Sequence, residues 1–164
     1  MKLDSIIRVL LVALLGFCLP PEQARAAAAS KSFDASSLAA IKAAHAGRPF
    51  VLAFWSISCA PCLADMADWR KLRMRYPAVP ILLVNTDAVA DGQRVRDALA
   101  RFPPGNVEHW RFSDDFAERV RYSVDPSWRG ELPRTYFFDR SHKPELVTGR
   151  LDGAWMDSWF DRAK

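Results

Sequence analysis

Residues 50–66 constrain this chain more than any other stretch. Phe50 to Trp55 is an almost unbroken apolar run. Such a run reads as a strand buried on both faces, as in parallel sheets. Ser56-Ile57-Ser58 follows, then Cys59-Ala60-Pro61-Cys62. Beyond these, Leu63, Met66, Trp69 or Arg70, Leu72 and Met74 recur at helical intervals. Two thiols therefore stand where a buried strand gives way to a helix. The unpaired amides and positive dipole end of such a helix favour the anion of the first thiol. Thiols in this setting have pKa values of about 3.5–7.5, against about 8.5 for a free one. The order makes Cys59 the attacking thiol and Cys62, one turn in, the resolving thiol. Pro61 suits a first helical turn, where its missing N–H would have no partner anyway.

A Cys-X-X-Cys pair is also half of a zinc site, which needs two further ligands at matching spacing. No cysteine follows residue 62, and His109 and His142 stand alone. The strand-to-helix setting favours redox chemistry over a metal or a purely structural disulfide.

Phe54-Trp55-Ser-Ile-Ser-Cys59-Ala-Pro-Cys62 resembles the Trp-X-X-X-Cys-X-X-Cys active site of the thioredoxin superfamily. Pro61, Asp65 and Met66 resemble its extracytoplasmic TlpA/ResA/DsbE-like branch. Leu132-Pro133-Arg134-Thr135-Tyr136-Phe137-Phe138-Asp139 resembles the superfamily's cis-proline loop. The likeness spans about residues 33–163. It implies an α/β, thioredoxin-like fold with a central mixed five-stranded sheet flanked by helices on both faces. The strand order would be third, second, first, fourth, fifth, with the last two antiparallel. Pro133 would be cis and, with Leu132, face a partner's extended chain beside the dithiol. Asp65 matches the position of the branch's active-site glutamate, where an acid accepts the Cys62 proton or raises its pKa. Trp55 matches the tryptophan packed beside the active site. Ser58 and Ala67 depart from the pattern, where many relatives carry a second tryptophan and a helix-kinking proline. Trp128, in a loop longer than the family pattern, reads either as a docking residue or as packing over the sheet end.

The function the resemblance implies is an exported thiol–disulfide oxidoreductase that reduces specific protein disulfides. The clients would be haem-binding cysteines in cytochrome c maturation, or copper-site cysteines. Electrons would come from a membrane thiol donor of the DsbD/CcdA kind. No cofactor or metal is expected, and the protein would act as a monomer. Two rivals stand beside this reading. One is a disulfide oxidant or isomerase of the same fold, and the other a Cu(I)-binding module using soft thiolates.

At 164 residues the chain has room for one domain and an N-terminal extension. Residues 1–26 read as a secretory signal peptide: Lys2 and Arg8 precede an apolar run from Val9 to Leu19. That run is shorter than the roughly 20 residues a spanning helix needs. Pro20 and Pro21 break it, and Ala24-Arg25-Ala26 fits a cleavage site. Cleavage would release the protein into the periplasm and remove Cys18; an uncleaved leader would anchor it facing the same compartment. Cys18 follows Phe17, which is too large for a lipoprotein site. Removing Lys2, Arg8, Arg25, Asp4 and Glu22 leaves 20 basic against 17 acidic residues. That mixed surface offers no basic stripe for nucleic acid.

Residues 27–32 read as a disordered linker and 33–164 as the domain. Helices are expected over 35–46 (Leu38, Ile41 and Ala44 inward, His45 as a cation in the last turn), 60–76, 91–102, 116–123 with Asp114 or Asp115 as cap, and 154–163. The remaining strands are expected over 79–85, 107–112, 134–139 and 145–148. Strand–helix alternation ending in a hairpin makes the first three strands parallel through right-handed crossovers.

Overall fold

The computed structural model describes residues 30–113 and 116–163. The expected leader, Cys18, residues 27–29 and the caps Asp114 and Asp115 lie outside the described residues. In chain order the elements are strand β1 (Lys31–Phe33), helix α1 (Ser37–Ala44), β2 (Phe50–Trp55), α2 (Ala60–Arg75) and β3 (Ile81–Asn85). A 3-10 turn (Val89–Asp91) then leads into α3 (Gly92–Arg101), followed by β4 (Glu108–Phe112) and α4 (Ala117–Val124). β5 (Arg134–Phe138), β6 (Pro144–Thr148) and α5 (Gly153–Ala163) complete the fold.

The six strands form one sheet in the order β1-β4-β3-β2-β5-β6. β1, β4, β3 and β2 run parallel, β5 pairs antiparallel with β2, and β6 antiparallel with β5. The five expected strands take the expected order. The sixth, β1, corrects the expectation of a linker through residue 32. It is three residues long, and only Phe33 is buried. A segment that short carries no alternation to read. Phe33 holds it in place by packing on Phe54, Trp110 and Phe112.

All of β2 is buried because both sheet faces are covered. Val51, Ala53 and Trp55 face a core made with α2, α3 and α5. Leu52 and Phe54 face a second core made with α1, α4 and Trp128. Along α2 the inward stripe is Cys62, Asp65, Met66, Trp69 and Leu72. Met74, expected on that stripe, is exposed, as is Phe102 beyond α3. α1 is shorter than expected and Ala44 is exposed. Its start is set by Asp34, whose carboxylate accepts from the Ser36 amide and the Ser37 hydroxyl. His45 is not a helix-end cation. Burial and the nearby Arg48 hold its pKa below the usual value, and its ring stacks on Phe50.

Candidate active site

The dithiol sits at the junction of β2 and α2. Cys59 is the N-cap of α2, with Pro61 in the first turn. The Cys59 and Cys62 sulfurs are joined in a disulfide, with Cα atoms 5.2 Å apart. The Cys62 amide donates to Cys59 Sγ at 3.2 Å. This amide is one of those a helix start leaves unpaired, and it favours negative charge on that sulfur. The two cysteines differ in access: Cys59 is partly exposed and Cys62 is 2% exposed. A partner sulfur can therefore reach Cys59 but not Cys62. The preceding loop is pinned by Asp87, whose carboxylate accepts from the Ile57 amide at 2.8 Å and from Asn85 Nδ2 at 2.6 Å.

Four of the residues singled out in the sequence meet around one small cavity of about 10 Å³. Cys62, Asp65, Trp55 and Pro133 all line it. That is close to the space one water needs. Trp55 is buried in the first core, and its Nε1 has no hydrogen-bond partner. The Leu132–Pro133 peptide bond is cis. The Pro133 carbonyl accepts from the Gly149 amide at 2.9 Å, which ties this loop to the end of β6. Leu132 is half-buried and touches both cores at the sheet end.

Asp65 is 1% exposed. Arg150 Nε approaches its Oδ1 to 3.1 Å in an off-axis ion pair, and Arg150 Nη2 lies 3.6 Å from Asp68. Neither Asp65 oxygen has a well-directed hydrogen-bond donor. Burial pushes the Asp65 pKa up to about 6; Arg150 pulls it down and Asp68 pushes it further up. An acid poised there can take up or give back a proton near neutral pH.

Trp128 is not part of this arrangement. Its ring is buried in the second core, 4.6 Å from Phe54, and its Nε1 donates to the Glu131 carbonyl. A docking role would need an accessible ring, so of the two readings offered for Trp128 the packing one describes the structure. Arg150 was not singled out. It lies between β6 and α5, distant from Asp65 in sequence, and no spacing rule links the two. Among the described residues no group of three or more His, Cys, Asp or Glu side chains is placed to hold a metal ion. No helix among them is long and apolar enough to cross a membrane.

No protein-family model matches the sequence, and no curated protein matches it. Solved structures do. A secreted Mycobacterium tuberculosis disulfide oxidoreductase homologous to Escherichia coli DsbE matches with TM-score 0.58 and 17% identity, over 73% of this chain and 85% of its own. A chain assigned as the thiol:disulfide interchange protein DsbE of Chlorobium tepidum matches with TM-score 0.60 and 20% identity, over 74% and 83%. StoA from Bacillus subtilis matches with TM-score 0.52 and 17% identity, over 70% and 83%. The structural neighbours are thus DsbE/TlpA-like proteins of thioredoxin fold. This chain has their thioredoxin-like α/β fold, with a close cysteine pair at the start of a helix.

Proposed function

We propose that this protein is an exported thiol–disulfide oxidoreductase that reduces specific protein disulfides. The observation that carries the reading is the asymmetry of the pair: an accessible Cys59 at a helix start and a buried Cys62 beside Asp65 and Pro133. In the reduced protein, the Cys59 thiolate attacks one sulfur of a client disulfide. A mixed disulfide forms and the other client sulfur leaves as a thiolate. Asp65 accepts the Cys62 proton. Cys62 then attacks Cys59 Sγ, releasing the client as a dithiol and leaving the Cys59–Cys62 disulfide. Two electrons have passed to the client, and an external dithiol restores them. A membrane thiol donor of the DsbD/CcdA kind fits that role. Pro133 and Leu132 offer the client's backbone a surface beside Cys59, and Trp55 backs the site. Haem-binding cysteines in cytochrome c maturation and copper-site cysteines are the client classes we favour.

The leader over residues 1–26 supports export to the periplasm, where an isolated close pair needs a dedicated donor to stay reduced. If uncleaved, the same segment would anchor the protein there.

The test is dithiothreitol-dependent reduction of insulin. The wild-type protein is expected to accelerate it, Cys59→Ser to fall to background, and Cys62→Ser to accumulate a mixed disulfide. Full activity in Cys59→Ser would reject the assignment. Equilibration with glutathione decides direction: a potential above roughly −150 mV, near that of DsbA, would make the protein an oxidant instead.

A further inference from the structure

A cleft of about 750 Å³ runs between α3 and the face of β4 that looks into the first core. This volume lies within the range of small-molecule sites, about 300–1,000 Å³. Neither cysteine, nor Asp65, nor Pro133 lines the cleft, so it is a space separate from the reacting sulfurs. Trp55 forms one of its walls.

The register explains its character. His109 pairs with Leu83, and Arg111 with Asn85, so His109 and Arg111 share the face that α3 covers. A helix-covered strand face is ordinarily apolar. Here Val95 and Leu99 of α3 oppose His109 and Arg111 of β4 and Val107 just before it. The His109 ring is half-buried, and burial alone holds its pKa below the usual value.

Arg111 donates through Nη2 to the Ala88 carbonyl at 3.1 Å and the Val89 carbonyl at 3.4 Å. Its Nε is buried and has no hydrogen-bond partner. A Cβ on Gly92 would sit 2.8 Å from Arg111 Nη1, so glycine there leaves room for the guanidinium. Arg96, on the helix side, donates to Gln93 Oε1 at 2.6 Å. Among the described residues no carboxylate lines the cleft. Two guanidinium groups and the His109 ring therefore border a largely apolar space with no acidic side chain among the described residues on its walls, and the half-buried Arg111 has no counter-ion there. The buried, unpaired Nε of Arg111 lacks an acceptor, and an anion in the cleft would supply one.

We propose that the cleft binds a small organic carboxylate with an extended apolar body. Its head would lie by Arg111, His109 and Arg96, and its body along Val95, Leu99 and Val107. Five residues of strand give the cleft floor a length of roughly 17 Å, enough for a medium-length chain.

The test is calorimetric titration of the purified oxidised protein with decanoate. Saturable one-to-one binding is expected. Arg111→Gln and Arg96→Gln are each expected to weaken it at least fivefold. Leu99→Trp, which fills the cleft, is expected to abolish it while insulin reduction stays within twofold of wild type. Arg96 is exposed, so Arg96→Gln keeps the test decisive even if either other variant fails to fold. Absence of saturable decanoate binding overturns the proposal. So does equal affinity for decanol or decyltrimethylammonium, and so does unchanged affinity in Arg96→Gln.

Discussion

Asp65 occupies a position on α2 where the spacing calls for an apolar residue. Cys62, Met66, Trp69 and Leu72 are its companions on the buried stripe. Its pKa rises from an ordinary 3.8 to about 6, mainly because burial penalises the carboxylate. The folded chain therefore binds more protons than the unfolded chain between about pH 4 and pH 6. Stability falls as pH rises through that window. Two units correspond to at most about 3 kcal/mol. Asp65→Asn is accordingly expected to stabilise the protein by about 2 kcal/mol at pH 8 and hardly at all at pH 4, measured by urea unfolding. An equal effect at both values would contradict this. The same variant should resolve mixed disulfides at least tenfold more slowly, because a positioned base contributes about 10²–10⁴ in rate. Arg150→Ala should move the Asp65 titration upward, since Arg150 favours the charged form; the carboxyl carbon resonance of Asp65 reads this directly. Asp65 was legible in the sequence through its place after Cys62. Arg150 was not, because an ion pair between distant elements leaves no periodic trace.

At the scale of elements, the loop between α4 and β5 does most to position the cis-proline turn. Asp125 accepts from Ser127, Arg134 and Tyr136, and these bonds hold its carboxyl well down, at about 2. Arg134 is buried and also stacks over Trp128. The loop is thus clamped to the start of β5, directly after Pro133. Trp128→Ala is expected to destabilise by about 3–5 kcal/mol, the usual loss for a buried large aromatic. Insulin reduction by the folded fraction should stay within about twofold. A large activity loss at full stability would instead restore Trp128 as a docking residue. The sequence marked this tryptophan but left its role open, since a loop has no period to say which side of the sheet its side chains take. The edge strand β1 escaped notice for a related reason: it is held by one phenylalanine and by ladder bonds to β4.

In the whole molecule, one sheet separates two cores. Phe33 belongs to one, packed on Phe54, Trp110 and Phe112; Trp159 belongs to the other, packed on Phe137 and Phe160. The two share no ring partner, and both cores rest on β2. Phe33→Ala and Trp159→Ala should each destabilise by about 3–5 kcal/mol. Combined, they should add within about 0.5 kcal/mol, in a single transition seen alike by fluorescence and circular dichroism. Two separate transitions would mean that the cores unfold independently. The strand-to-helix placement of Cys59 and Cys62 was determined by the sequence alone, whereas the order of the five strands was implied only by the resemblance that the motifs carry. Hydrophobic period, helix starts and a two-residue spacer are local, and a local signal survives without the fold. The meeting of Arg150 with Asp65, the burial of Trp128, the pairing of β1 and the basic cleft under α3 were decided only by tertiary structure. Each depends on register and on which elements stack across the sheet, and those contacts join residues that the chain itself keeps far apart.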